Sequence, residues 1–103
     1  MKFLVSWTFR TAGSVADAEA DAKRGLQLFS KWVPPEGLKM TEFVSRIDGR
    51  GGYVMVETDN PALLADGPSK FGVLNEFEVI PVMDIMDGMP IAQEAIEFRD
   101  SIS

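Results

Sequence analysis

The chain has 103 residues, 46% hydrophobic and 25% charged, which describes an ordinary globular domain and not a disordered segment. Sixteen acidic against ten basic residues give a formal net charge of −6, which opposes binding to nucleic-acid phosphate or to anionic lipid. Cysteine and histidine are both absent, which excludes disulfides, thiolate nucleophiles, zinc–thiolate sites and histidine-ligated haem, and leaves any acid–base work to Asp, Glu, Tyr or Lys.

Met1-Lys2 leads directly into a strand-like run with no signal-peptide pattern before it. No apolar run reaches the ~18 residues of a membrane span, so a cytoplasmic protein is expected. Lys2 to Phe9 alternates Phe3, Val5, Trp7 and Phe9 with Leu4, Ser6 and Thr8, the period of a half-buried strand. Arg10 to Gly13 reads as a loop, and Ser14 as an N-cap with Asp17 three residues on. Val15, Ala18, Ala22, Leu26, Phe29 and Val33 then recur at helical spacing, with Gly25 beside them for a closer approach to the sheet. Val33-Pro34-Pro35-Glu36-Gly37 ends this helix, because neither proline can donate a backbone hydrogen bond.

Strands are expected from about Leu38 to Asp48 and from Gly51 to Thr58. Asp59-Asn60-Pro61 reads as the cap of a short second helix that Gly67-Pro68 breaks. Glu76 to Asp84 is a fourth strand, with Phe77, Val79, Pro81 and Met83 opposing Glu76, Glu78, Ile80 and Val82; Pro81 marks it as an edge strand or a bulge. A last helix is expected from Pro90, with Ile91, Ala92, Ala95, Ile96 and Arg99 on one side, fraying by Ser103. The whole, 1–103, reads as one domain with a core of 1–84 and an extension of 85–103.

Strand, helix, strand, strand, helix, strand is the α+β, ferredoxin-like βαββαβ order, with both helices on one face of an antiparallel sheet and a C-terminal helix added. Right-handed crossovers favour the spatial strand order four, one, three, two. In the hairpin, a two-residue loop at Gly49-Arg50 would set Asp48 opposite Gly51, Arg46 opposite Tyr53, Val44 opposite Met55 and Glu42 opposite Glu57. One helix-facing core would hold Phe3, Val5, Trp7, Phe43, Val54, Val56, Phe77 and Val79. The other face would carry Leu4, Val44, Tyr53, Met55, Ile80 and Val82, too apolar to leave in water, so a second sheet should cover it. The opposite assignment, with Trp7 and Phe9 lining the space between sheets, is the alternative.

Four segments carry a family resemblance: Phe3-Leu4-Val5-Ser6-Trp7-Thr8-Phe9, Trp32-Val33-Pro34-Pro35-Glu36-Gly37, Arg46-Ile47-Asp48-Gly49-Arg50-Gly51-Gly52 with Val56-Glu57-Thr58-Asp59, and Phe77-Glu78-Val79-Ile80-Pro81-Val82-Met83-Asp84. In these the chain resembles an uncharacterised bacterial family of the dimeric α/β-barrel superfamily. The resemblance implies a homodimer whose two sheets face each other as a barrel, and it implies no activity. Catalytic motifs of the better-known superfamily enzymes are absent.

Glu42 opposite Glu57 would be a like-charge pair, tolerated only if a cation intervenes or one carboxyl keeps its proton. Such a glutamate can act as a general base next to a carbonyl, with Arg46 and Tyr53 polarising the enolate. A structural ion-pair network is the commoner use of such residues. Ser6, Thr8, Val44, Met55, Glu78 and Ile80 would line the same space as ligand contacts. Trp7 and Trp32 could stack a planar ligand, although large aromatics more often fill cores. Asp48, Asp84 and Asp87 lack calcium-loop spacing, so neither a metal nor a cofactor is expected. Three functions fit these features: a homodimer binding a small apolar or aromatic metabolite, a cofactor-independent isomerase or monooxygenase using a cavity carboxylate, and a structural or accessory subunit without ligand.

Overall fold

The alternation of Phe3, Val5 and Trp7 with Leu4, Ser6 and Thr8 gives β1 (Lys2–Phe9) two unlike faces. The computed structural model, which describes residues 1–11 and 13–102, sets this strand inside an antiparallel sheet. Its neighbours are β3 (Gly51–Glu57) and β4 (Asn75–Val82), and β2 (Lys39–Ser45) pairs outside β3. The order β2-β3-β1-β4 is the one that the crossover rule favours, and β4, with Pro81, is an edge strand. With α1 (Val15–Lys31), α2 (Asp66–Phe71) and α3 (Ile85–Ile102), the architecture is α+β and consistent with a ferredoxin-like fold. Ala12 of the expected connecting loop and the fraying expected at Ser103 lie outside the described residues.

Register explains where the core sits. Phe3 pairs with Val56 and Pro81, Val5 with Val54 and Val79, and Trp7 with Gly52 and Phe77, so these residues share one face. Phe3, Val5, Val54 and Val56 are its buried members, with Trp7, Leu38, Met40, Leu64 and Phe77 packed against Val5, Val54 and Val56. Leu4, Ser6, Tyr53, Met55, Glu78 and Ile80 occupy the opposite face.

Several expectations need correction. Lys39 pairs with Glu57, Met40 with Val56 and Thr41 with Met55, but Val44 pairs with Tyr53, so the ladder shifts by one residue between Thr41 and Val44. Glu42 lies in this bulge with φ 48°, a left-handed backbone that costs a side-chain-bearing residue roughly 1–2 kcal/mol. Val44 therefore does not face Met55, Arg46 does not face Tyr53, and Glu42 does not face Glu57. The connection is also longer than two residues: Arg46 N–H donates to Gly51 O and Gly49 N–H to Arg46 O, a turn that Gly49 closes with φ 74°.

The helices differ in their details. Ser14 Oγ accepts from Asp17 N–H at 3.1 Å, the expected cap. Val15, Leu26 and Val33 of the expected stripe are more than 70% exposed and α1 has no buried residue; Phe29 of that stripe makes ring contacts with Trp32 and Phe43, and Gly25 and Leu28 are half-buried. A Cβ on Gly25 would meet Leu74 Cδ1 at 3.6 Å, an ordinary contact, so no unusually close approach exists there. Asn60 Oδ1 caps Ala62 N–H as expected, but Pro61–Ala65 is a 3₁₀ turn, and α2 runs through Gly67-Pro68 rather than stopping there. Pro90 lies inside α3, which starts at Ile85.

α3 has no buried residue, and the molecule measures 62 × 31 × 21 Å with a radius of gyration of 18.3 Å. A compact chain of this length would have a radius of about 13 Å. Among the described residues no helix is long and apolar enough to cross a membrane.

Candidate functional site

Between the core face of the sheet, the end of α1 and the 3₁₀–α2 segment lies a cavity of about 120 Å³. Val5, Val54 and Val56 form its floor, Leu64 and Phe71 one wall, and Phe29 and Trp32 another. Rings connect around it: Trp7 to Phe43 at 5.5 Å between centroids, Phe43 to Phe29 at 6.0 Å and Trp32 to Phe71 at 5.6 Å meet edge to face, and Phe29 to Trp32 at 6.2 Å is tilted by 40°. Spacings of this kind favour aromatic pairs and hold each ring at a fixed tilt.

Local chemistry explains why these rings stand where they do. Trp7 lies directly across from Gly52, and a Cβ there would meet Trp7 Cζ2 at 2.4 Å and Val44 O at 2.3 Å. Only a glycine leaves room for the indole to lie over the strand. Trp32 donates from Nε1 to Asp66 Oδ2 at 2.9 Å, which satisfies the one polar atom of an otherwise apolar wall. Hydrogen bonds from Lys70 and then Trp32 hold the Asp66 carboxyl below its ordinary range, and Lys70 is its ion-pair partner at 2.8 Å. Asn75, at the start of β4, is 7% exposed and also lines the cavity; its Nδ2 donates to Phe71 O at 3.3 Å.

The residues expected to carry chemistry lie elsewhere. Tyr53, Ser6 and Glu78 form one row across β3, β1 and β4, with Met55, Leu4 and Ile80 the next row, Val44 beside Tyr53 and Thr8 farther along β1. That is the open face of the sheet, and none of these side chains lines the cavity. Glu42 sits in the bulge, and Arg46 leaves the strand to pair with Asp48 across the turn. The Arg50 backbone N–H, followed by Arg46, lowers the Asp48 carboxyl's pKa. Glu57 lies between two ammonium groups, Lys2 at 3.8 Å and Lys39 at 3.9 Å, and Lys2 also pairs with Asp84. Hydrogen bonding to Asp84 is the main cause that raises the Lys2 pKa. Glu57 thus belongs to an ion-pair cluster at the end of the sheet and has no carboxylate partner in Glu42. Among the described residues no three acidic side chains converge as a metal site.

Sequence reasoning singled out Trp7 and Trp32 without seeing that they share a cavity; it took Phe29 and Phe43 as packing residues and did not single out Phe71 or Asn75. The one available signal was aromatic density, seven Phe and two Trp in 103 residues. The family model described as a domain of unknown function (DUF3303) matches residues 1–96. No curated protein matches, and neither does any solved structure.

Proposed function

We propose, for a chain that belongs to the family of the domain of unknown function DUF3303, that its role is to bind one small apolar or aromatic molecule in each copy of a homodimer. The aromatic cavity carries this reading. An apolar cavity of about 150 Å³ is enough to admit a benzene ring. At about 120 Å³ the space here suits a single six-membered ring after slight relaxation. Among the described residues no carboxylate lines it, so its walls can hold and desolvate a ring but offer no general base. Binding, not turnover, is the activity that this chemistry supports.

Two surfaces support the second copy. The open face of the sheet measures roughly 26 by 19 Å, about 500 Å². The apolar half of α3, with Ile85, Met89, Ile91, Ile96, Phe98 and Ile102 all exposed, adds roughly 400 Å² along its ~27 Å length. A stable dimer buries about 800 Å² per partner, which neither surface reaches alone and both reach together. In that assembly Ser6, Thr8, Val44, Tyr53, Met55, Glu78 and Ile80 are enclosed between the sheets.

Sedimentation equilibrium should give twice the chain mass, and Ile80→Lys on the sheet or Ile96→Lys on α3 should give the monomer. Toluene should change the fluorescence of the protein, since Trp7 and Trp32, its only tryptophans, both line the cavity. A monomer at all concentrations would refute the assembly. A flat fluorescence titration with toluene would refute the binding site.

A further inference from the structure

The cavity has one polar atom left over. Asn75 Oδ1 is buried and accepts no hydrogen bond among the described residues, while the Nδ2 of the same amide is engaged with Phe71 O at 3.3 Å. A buried carbonyl without a donor is a standing cost that native proteins rarely accept without a purpose. Every other residue on these walls is apolar, glycine, proline or a tryptophan, of which Trp32 is already bonded to Asp66. Among the described side chains lining the cavity Asn75 carries the one oxygen, so it is the feature that favours a ring able to donate a hydrogen bond.

We infer that the ligand is a single aromatic ring carrying a hydrogen-bond donor, a phenol or an aryl amine, whose O–H or N–H donates to Asn75 Oδ1. This rests on the cavity being a ring-binding site and adds the class of ring. The oxygen is closed to water-sized contact, so the amide turns about its Cβ–Cγ bond to meet the donor. That torsion is a soft one, and its tether to Phe71 is a long hydrogen bond. An ether such as anisole brings a second acceptor against the first. A site with a buried polar group discriminates against analogues that leave it unpaired.

Titrations of the wild-type protein with phenol, aniline, toluene and anisole, read by tryptophan fluorescence, test the inference. Phenol and aniline should bind roughly 3- to 10-fold more tightly than toluene, and anisole more weakly than phenol by at least as much. In Asn75→Leu, which replaces the amide with an apolar group of like size, the preference for phenol over toluene should vanish while toluene still binds. Should that variant fail to fold, the Asn75 side-chain amide resonances of the wild type serve in its place: phenol should shift them in the sense of a newly accepted hydrogen bond, and toluene only by its ring current. Toluene binding with no preference for phenol, or a preference that survives in Asn75→Leu, overturns the donor inference and leaves the ring site standing. Absence of binding by all four rings overturns both.

Discussion

Val54 tests the cavity through the sign of a stability change. It is 6% exposed, lies across from Val5 and forms part of the cavity floor. Val54→Ile adds one methylene without altering branching at Cβ, so the strand backbone has no reason to change. If the added group points into free space of about 120 Å³, it is removed from water at no steric cost. The gain is then about 0.8 kcal/mol, or roughly 3–6 °C in melting temperature for a domain of this size. If the core is filled, the same methylene forces its neighbours off their rotamers and costs about 1–3 kcal/mol. The two cases differ by at least ~2 kcal/mol and in sign, well beyond the error of a urea melt. The assay is urea unfolding followed by tryptophan emission, at one protein concentration so that any assembly contributes equally. Stabilisation with an unchanged m-value, together with weaker toluene binding, is expected. A destabilised Val54→Ile protein would refute the cavity.

Gly52→Ala should destabilise by about 1–3 kcal/mol, because its Cβ would overlap Trp7 and Val44 O, and a red-shifted emission should report the displaced indole; unchanged emission would contradict the packing of Trp7 over Gly52. Glu42→Gly should stabilise by roughly 0.5–1 kcal/mol by releasing the left-handed backbone of the bulge. A loss of stability in urea unfolding would argue that the Glu42 side chain has a role that its bulge position does not suggest. The lowered pKa of Asp66 means that the unfolded chain takes up its proton first as pH falls. Its contribution is present above the unfolded carboxylate pKa of about 3.9 and is lost as pH drops through the lower folded value. Stability should therefore rise with pH in that acid window, and Asp66→Asn should flatten part of the slope in urea melts between pH 2 and 5. An unchanged slope would mean that the contacts with Lys70 and Trp32 do not favour the ionised form.

What the sequence revealed was whatever alternation and punctuation encode. Period-two patterns in Lys2–Phe9 and in 76–84 gave the strands and their faces, the second ending at Val82; Ser14 and Asn60 gave the caps, and of the edge or bulge that Pro81 allowed, β4 is at an edge. The register of the hairpin was not legible, because its bulge uses a left-handed Glu42 where a glycine would have announced it. Pro90 suggested a helix start, but α3 begins at Ile85 and carries the proline inside. The cavity was hidden for a different reason. Its rings come from β1, α1, β2, α2 and β4 and the segment after α1, and each alone looks like core. Asn75 carried no signal in the sequence, and its burial and its unpaired oxygen set it apart.

The most direct test is a two-dimensional NMR titration of the wild-type protein with toluene. The ring-binding account predicts saturable shifts concentrated on the methyls of Val5, Val54 and Val56 and on the indole N–H of Trp32, with the open-face residues Tyr53, Glu78 and Ile80 unmoved. Shifts centred on that open face, or none at all, would contradict it.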